Sequence, residues 1–264
     1  MTSASDSGKP GAHKQAIRKQ FTVTAAAFTR SKAVTDRVTH ELMADLAGAR
    51  PGLRALDLAC GPGFVALALA ARGAQTIGID LTPAMLEQAR ALRAQRNLPH
   101  TQFLAGDVEH LPFADQAFDI VTARAVVHHL PQPLAVLQEA ARVCRPGGRV
   151  VIGDHYAPEA SDRAAAMNDI ERWRDPTHTL SPKDSEMQAL LRAAGLRVAA
   201  VRRIDLPRRF DEWARIAHVE GARLERLRQM LLETLPDDRA GLQPRWENGE
   251  LCFTHHWALW VGER

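Results

Sequence analysis

The chain has 264 residues, of which 45% are hydrophobic, and a formal net charge of +3. This length and apolar content allow a full hydrophobic core and are typical of one α/β domain with an elaboration. Acidic and basic residues are interspersed along the chain, so the mild basicity indicates a solvated surface and no nucleic-acid partner. Cys60, Cys144 and Cys252 lack C-x-x-C spacing, which argues against a disulfide framework and a zinc site and favours a reducing compartment.

The sequence contains no apolar run that approaches the roughly 18 residues of a membrane span. Residues 1–13 are rich in small and polar residues and contain no hydrophobic signal region. We therefore expect no membrane span and a cytoplasmic location.

The chain divides into three predicted parts. Residues 1–14 are small and polar, which predicts a disordered tail. Residues 15–50 carry apolar residues at helical spacing, which predicts two helices, broken near residues 29–32, that form an N-terminal helical lid. Residues 51–264 form the main domain, with a helical insertion at about 205–249.

Strands and helices alternate from residue 53 onward. The pattern predicts strands at 55–59, 76–80, 102–105, 119–123 and 149–154, with helices at 64–72, 83–96 and 133–144 between them. Such alternation is typical of an α/β fold with a doubly wound, mostly parallel sheet and helices on both faces.

The rhythm changes after the fifth strand. Residues 156–182 are polar and predict a loop, followed by a helix to residue 194 and a sixth strand at 197–204. A long apolar run at 250–262 then predicts a seventh strand that returns antiparallel beside the sixth.

A glycine turn follows the first strand. Gly61 and Gly63 let the backbone approach a ligand, and the next helix directs its N-terminal amides at it. With Ala66 they also satisfy the dinucleotide pattern G-x-G-x-x-A, so the turn alone leaves an NAD(P)-dependent oxidoreductase open. Asp57 inside the strand disfavours that reading, because a carboxylate repels a pyrophosphate and suits a cationic ligand.

Two further acidic residues follow strands. Asp80 ends the second strand 19 residues after Gly61, where a carboxylate can accept hydrogen bonds from both ribose hydroxyls. Asp107 follows the third strand, where its carboxylate can accept from an adenine amino group while the Val108 amide serves a ring nitrogen. Asp80 supports an adenosine without choosing among the cofactors that contain one, and its alternative role is that of an acid at the start of the next helix. Asp107 on its own indicates only a turn.

Four motifs then occur in a fixed order: Asp57-Leu-Ala-Cys-Gly-Pro-Gly63, Leu111-Pro-Phe113, Val127-His-His-Leu-Pro131 and Arg145-Pro-Gly-Gly148. Together they resemble class I S-adenosylmethionine-dependent methyltransferases of the small-molecule type, similar to the ubiquinone and menaquinone biosynthesis C-methyltransferases. The resemblance covers roughly residues 53–154. It implies a Rossmann-like, seven-stranded sheet whose last strand is antiparallel, and methyl transfer from S-adenosylmethionine to a small organic acceptor, leaving S-adenosylhomocysteine.

The resemblance also implies the cofactor residues. Asp57, Gly61 and Gly63 would hold the methionine end, and Asp80 would hold the ribose. Arg124 would face the methionine moiety, although the family often has a small or polar residue there. The implied cofactor set is Asp57, Ala59, Gly61, Gly63, Asp80, Leu81, Met85, Asp107, Val108, Arg124 and His129.

Methyl transfer from a sulfonium is an in-line displacement whose main demand is placement, which can supply about 7 to 11 kcal/mol of the barrier. A base is required only if the acceptor must lose a proton, so a reaction without one stays open. The candidate bases are His128, His129, His155 and Tyr156, which follow the carboxyl ends of strands. A structural or cofactor-facing role is the alternative for His129, and capping of the loop is the alternative for His128.

Three residues are assigned to the acceptor. Phe28 is predicted to close an aromatic ring over the ligand, with packing against the sheet as the alternative. Arg174 and His178 are predicted to lie in a proline-containing loop on the ligand side of the sheet, where side chains commonly bind the substrate.

Some alternatives remain. Asp154 is a candidate metal ligand, but the sequence offers it no convincing partners, so no metal is predicted. A protein that binds S-adenosylmethionine without transferring methyl, as another catalyst or a regulator, stays open. So do the acceptor, the choice among O, C and N methylation, and the oligomeric state, because the β run around Trp257 and Trp260 is either core or the edge of a homodimer.

Overall fold

The computed structural model describes residues 10–30, 35 and 37–264. Residues 1–9 of the predicted tail lie outside the described residues, whereas residues 10–14 belong to a helix that begins at Pro10. This helix continues to Arg30, and the rest of the predicted break at 29–32 lies outside the described residues.

The elements follow one another in a largely alternating order. The helices are α1 (Pro10–Arg30), α2 (Arg37–Leu46), α3 (Phe64–Ala71), α4 (Pro83–Gln95), α5 (Pro133–Val143), α6 (Ser161–Arg174), α7 (Asp184–Ala193), α8 (Phe210–Ile216) and α9 (Gly221–Leu232). The strands are β1 (Arg54–Leu58), β2 (Gln75–Asp80), β3 (Thr101–Ala105), β4 (Phe118–Arg124), β5 (Cys144–His155), β6 (Arg197–Arg209), β7 (Arg245–Glu247) and β8 (Glu250–Glu263).

The strands form one twisted sheet in the order β3-β2-β1-β4-β5-β8-β6, with β7 paired to β8 outside this path. The pairs among β1 to β5 are parallel, and β8 is antiparallel to both β5 and β6. The predicted doubly wound sheet with an antiparallel last strand is confirmed. The order reverses at β1, so the ligand crevice is expected beyond the carboxyl ends of β1 and β4.

Two strands are longer than predicted. β6 reaches Arg209, because the 14-residue β8 offers it backbone partners as far as the pair of Arg209 with Cys252. β5 begins at Cys144, so the Arg145-Pro-Gly-Gly148 motif lies within the strand, which has an irregular register against β4.

Helix α6 replaces a predicted loop. Its mean character is polar, but Ala164, Met167 and Ile170 recur at helical spacing and are buried. Six of its fourteen residues are apolar, but three of these are consecutive alanines, so the periodic signal is weak and the sequence analysis did not separate it from a loop. Arg174 therefore closes a helix and does not lie in a loop.

The central helix α3 is buried from Phe64 to Ala70, as expected for a helix enclosed by other layers. Helix α2 covers it and buries Met43 and Ala44 in the same core cluster as Leu69. The ring of His40 stacks on Phe64 at 5.2 Å between centroids. Helix α2 is thus part of the core, and α1 is the N-terminal helix that runs over the ligand face.

A second core cluster lies beside the sheet, where α6, α8 and α9 pack on the first half of β8. Trp213 and Phe253 meet there edge to face with ring centroids 4.8 Å apart. In the described part of the chain, no helix has the length and apolar character needed to cross a membrane.

Candidate functional site

Two adjacent cavities open at the carboxyl ends of the parallel strands. The first has a volume of about 750 Å³ and is lined by the segments that follow β1, β2, β3 and β4. The second has a volume of about 590 Å³ and lies between β4, β5, α6 and the segment around α8. Both cavities are lined by Phe21, Phe28, Arg124, Ala125 and His129. Ligands in the two cavities would therefore meet across this shared border.

Asp57 is held rigidly below the first cavity. One carboxylate oxygen accepts a hydrogen bond from the amide of Ala66 at 3.0 Å, and the other accepts from the Thr122 hydroxyl at 2.7 Å. Burial raises the pKa of Asp57 to about 7, against the opposing effect of these bonds and of the charge on Arg124. A cation in the cavity would favour the ionised carboxylate.

Asp80 holds the glycine turn in place. Its carboxylate accepts hydrogen bonds from the amides of Gly61 and Thr82, both at 2.8 Å. Burial raises the pKa of Asp80, and these two bonds oppose the rise. A carboxylate has about four acceptor positions, so two remain for the hydroxyls of a ribose.

The two glycines of the turn have different roles. Gly61 has a φ of +52°, and a Cβ added there would meet nothing within 4 Å, which leaves backbone open to a ligand. Gly63 has a φ of +82°, and a Cβ there would lie 2.6 Å from the ring of Phe103. Gly63 therefore allows close packing beneath the turn and is not among the residues that line the cavity.

Asp107 is paired with helix α1. The Lys14 ammonium donates to Asp107 at 2.6 Å and to Glu109 at 2.5 Å. Burial lowers the pKa of Lys14, but the hydrogen bonds to the two carboxylates outweigh that effect and raise it. His13 Nε2 lies 2.8 Å from the carbonyl oxygen of His129, which adds a second polar contact between α1 and the cavity border.

The first cavity brings together all the predicted cofactor residues except Gly63. Those that line it are Asp57, Ala59, Gly61, Asp80, Leu81, Met85, Asp107, Val108, Arg124 and His129. Arg124 lies 5.0 Å above the ring of Trp257, which positions its guanidinium at the border with the second cavity.

The second cavity is rich in histidine. His128 Nδ1 lies 2.7 Å from a carboxylate oxygen of Asp154, and His155 Nδ1 lies 3.1 Å from the same oxygen. Burial lowers the pKa of His128, but the charge of Asp154 outweighs it and raises the pKa overall. By contrast, burial lowers the pKa of His129 to about 3, so that ring is neutral at pH 7.

The other predicted catalytic and acceptor residues fall in different places. Phe28 and Arg174 line the second cavity, as do His128 and His155. His178 lines neither cavity and stands behind them, with its ring 5.5 Å from that of His128. Tyr156 is also absent from both linings and instead contacts the ring of Trp260.

The sequence analysis missed several residues that line the cavities. His13 and Lys14 were assigned to a disordered tail, and their only signal is their place at the start of a helical pattern. Glu171 and His255 were not singled out, yet they form a buried pair at 2.8 Å in the second cavity. Neither residue carries a local signal, because their contact joins α6 to β8.

Comparison with known proteins supports the same interpretation. A family model described as a methyltransferase domain matches residues 56–152. An uncharacterized methyltransferase of Bacillus subtilis, YcgJ, is 33% identical over 193 residues, which cover 73% of this chain and 76% of the relative. The crystal structure of YcgJ superposes with a TM-score of 0.80 at 30% identity and covers 85% of this chain and 97% of the other.

Two of the relatives that have named activities are the following. The 27-O-demethylrifamycin SV methyltransferase of Amycolatopsis mediterranei is 34% identical and covers 75% of this chain and 72% of the relative. The demethylmenaquinone methyltransferase of Beutenbergia cavernae is 38% identical over 123 residues, which cover 47% of this chain and 49% of the relative. With the glycine turn, Asp80 and the sheet order in place, these similarities show that the chain belongs to the class I S-adenosylmethionine-dependent methyltransferases.

Proposed function

We propose that the first cavity binds S-adenosylmethionine and that the second binds a small organic acceptor, which receives the methyl group at oxygen or carbon. The observation that carries this proposal is the shared border of the two cavities at Phe21, Arg124 and His129. A sulfonium at that border would face an acceptor in the second cavity, which is the arrangement that an in-line displacement requires.

The side chains of the first cavity support specific roles. Asp80 is positioned to bind the ribose, because both its oxygens are fixed by backbone amides at the end of β2. Asp107 and Val108 would bind the adenine edge, and Leu81 and Met85 would line its faces. Asp57 would attract the ammonium of the methionine end through its charge, with its carboxylate oriented by Thr122.

The second cavity supports a small acceptor. Its volume of about 590 Å³ falls within the range of about 300–1,000 Å³ that is typical of small-ligand sites. The two relatives named above have different acceptors, so their names support the class of reaction and leave the acceptor of this chain open. Arg174, Arg208 and Arg209 line the cavity and favour an acceptor with a carbonyl or anionic group.

Proton removal, where the acceptor needs it, is proposed for His128 or His155. Both line the second cavity, and Asp154 contacts the Nδ1 of each. An ionised carboxylate can accept hydrogen bonds but cannot donate them. It would therefore fix the proton of each neutral ring on Nδ1 and leave Nε2 as the basic atom. Tyr156 is not retained in this role, because it lines neither cavity.

The test is calorimetric titration of the purified chain with S-adenosylhomocysteine, with NADH as the comparison ligand. We expect micromolar binding of S-adenosylhomocysteine and none of NADH. Asp80→Ala should weaken binding by at least about tenfold, because hydrogen bonds to a charged group contribute about 1.5–3 kcal/mol each. The matched control is Asp162→Ala in the exposed first turn of α6, which should leave binding unchanged.

A panel of small phenols, quinols and carboxylic acids then tests the acceptor class, with mass spectrometry to detect a gain of one methyl group. Methyl transfer to a member of the panel that His128→Ala abolishes while cofactor binding persists would support the proposed base. Cofactor binding with no transfer to any member would favour the alternative, a protein that binds S-adenosylmethionine without methylating. Binding of NADH in place of S-adenosylhomocysteine would overturn the cofactor assignment.

A further inference from the structure

Three buried histidines converge at the inner wall of the second cavity. His128 follows β4, His155 ends β5, and His178 follows α6. One ring nitrogen of each lies within 4.8 Å of those of the other two. The three residues are at least 23 positions apart in the sequence, so it is the fold that brings them together.

Asp154 fixes the orientation of two of the rings. It is fully buried, and its carboxylate contacts the Nδ1 atoms of His128 and His155. It also accepts hydrogen bonds from the backbone amides of Val127 and His155, both at 2.9 Å, so it cannot turn away. With each Nδ1 donating to the carboxylate, the Nε2 atoms of the neutral rings carry the free lone pairs.

Asn168 fixes the third ring. Its side-chain nitrogen donates to the carbonyl oxygen of Ala164 at 2.9 Å, and its oxygen accepts from the amide of Ser181 at 2.7 Å. The amide orientation is therefore determined by the backbone. The same oxygen lies 2.8 Å from His178 Nε2, which must then donate, so the lone pair of His178 is on Nδ1.

Two of these lone pairs have no partner within the described part of the chain. His155 Nε2 and His178 Nδ1 are both buried without a hydrogen bond, on residues that are each only 4% exposed. A buried polar atom without a partner costs free energy, commonly about 1–3 kcal/mol. Two such atoms on rings held by other residues indicate a site built for something that binds both.

We propose that His128, His155 and His178 bind a divalent transition-metal ion, with Zn²⁺ as the reference ion. Neutral imidazoles are common ligands of zinc, and ligating histidines usually donate their other ring nitrogen to a carboxylate or carbonyl oxygen, as all three do here. Tetrahedral coordination at about 2.0–2.1 Å separates ligand nitrogens by about 3.3 Å. From separations within 4.8 Å, the rings would close by at most about 1.5 Å.

Buried carboxylates supply the compensating charge. Asp154 lies directly behind two ligands, and Glu171, itself bonded to His255, stands nearby in the same cavity. Arg174, one of the arginines that line this cavity, has its guanidinium 3.9 Å from Glu171. The positive charge of Arg174 therefore offsets the negative charge of Glu171. The negative charge of Asp154 remains to compensate that of the proposed ion.

The site has a direction of access. His128 and His155 line the second cavity, whereas His178 lies behind them. Three protein ligands leave a fourth position of a tetrahedral ion open, as in catalytic zinc sites. An ion at this site would orient the acceptor through its open position, and that role rests on the proposed function. Metal binding itself is independent of the proposed function. The same lone pairs cannot both hold an ion and take a proton, so the metal content decides which role His128 and His155 have.

The test is metal binding by the full-length chain. The protein is stripped with a chelator, checked by elemental analysis, and titrated with Zn²⁺ alone. We expect one ion per chain and a higher melting temperature with Zn²⁺ than without it. His178→Ala should abolish binding, and Asn168→Ala should weaken it by about 10–100-fold, as expected for loss of a residue that orients a ligand. His256→Ala removes a histidine that contacts Asp205 at the surface and is the matched control.

Cobalt(II) gives an independent readout that needs no variant. The native chain loaded with Co²⁺ should show the visible absorption bands of a tetrahedral site with nitrogen ligands. Absence of these bands, or equal Zn²⁺ binding by the native chain and by folded His178→Ala and His155→Ala variants, would overturn the proposal. S-adenosylhomocysteine binding, measured on the same samples, separates this result from failure of the methyltransferase proposal.

Discussion

The ammonium of Lys14 in α1 lies 2.6 Å from the carboxylate of Asp107, which follows β3 and lines the first cavity. This contact joins the N-terminal helix to the loop that is proposed to bind adenine. Glu109 shares the same ammonium, so one lysine connects α1 to two acidic residues of that loop. Helix α1 also carries Ile17 and Phe21, which line the cavity. We therefore propose that α1 is a lid and that the ion pair holds it closed over the cavity.

Lys14→Gln should loosen this lid. The ion pair is half-buried, and removing it should cost about 1 kcal/mol, or about fivefold in the dissociation constant of S-adenosylhomocysteine. Stopped-flow measurement should show faster ligand release, and trypsin should cut α1 sooner. The matched control is Lys19→Gln on the exposed side of the same helix. If both variants release the ligand at the native rate, Lys14 does not hold the lid.

Affinity for S-adenosylmethionine should depend on the ionisation of Asp57, whose pKa burial raises to about 7. Below that pH the carboxyl is neutral in the free protein and loses its attraction for an ammonium. We therefore expect affinity to fall as the pH is lowered from 7.5 to 5.5, by at most about tenfold per unit. At higher pH, affinity should fall again as the ligand amine loses its proton near about 7.7–8.0.

Two variants test this assignment by calorimetry. Asp57→Asn preserves the shape of the side chain and should remove the acidic limb of the profile. Thr122→Val deletes the hydroxyl that donates to Asp57 at 2.7 Å, a bond that favours the carboxylate, so it should move the midpoint to higher pH. An acidic limb that persists unchanged in Asp57→Asn would assign the dependence to another group.

The grouping of residues around the first cavity was largely predictable from the sequence, whereas that around the second cavity was not. Gly61 and Asp80 follow strands of a strictly alternating pattern, and parallel strands bring their carboxyl ends to one edge, so their proximity follows from local signals. The contact of Glu171 with His255 and that of Asn168 with His178 depend on how α6 docks on β8 and on the segment behind it. The spacing of residues along the sequence does not predict how α6 docks, and the apolar periodicity of α6 itself is weak.

Asp154 is a second case in which the sequence did not reveal the partner of a residue. The sequence placed it at the end of β5 but offered it no partner, since His128 belongs to the preceding crossover. The pairing arises because β4 and β5 are neighbours in the sheet, with Arg124 beside Gly153. A mostly parallel sheet was predictable, but the side-chain directions just beyond the strand ends were not.

Phe21→Ala should open the border between the two cavities. The Phe21 ring meets His129 edge to face at 5.2 Å and Phe28 at 5.7 Å between centroids. Aromatic contacts of this kind contribute about 0.5–1.5 kcal/mol, so S-adenosylhomocysteine should bind about 2- to 13-fold more weakly. Val23→Ala, on the exposed side of α1, is the control. Equal affinity in the two variants would show that Phe21 does not close the first cavity.

Gly63→Ala should destabilise the fold more than the equivalent change at Gly52. Both glycines have a left-handed backbone, with φ of +82° and +86°, so alanine at either position costs about 1–2 kcal/mol. At Gly52 the new Cβ meets nothing within 4 Å, whereas at Gly63 it would lie 2.6 Å from the Phe103 ring. Overpacking of this kind typically costs about 1–3 kcal/mol more.

Urea denaturation of the two variants measures that difference directly, because the backbone cost is common to both. Phe103→Leu shortens the side chain that the new Cβ would meet, so combining it with Gly63→Ala should recover part of the loss, and the double-mutant cycle should give a favourable coupling. If Gly63→Ala and Gly52→Ala lower the free energy of unfolding equally, the ring of Phe103 moves aside without a loss of stability. Gly63 would then be required for its backbone conformation alone, and the close packing beneath the turn would not contribute to stability.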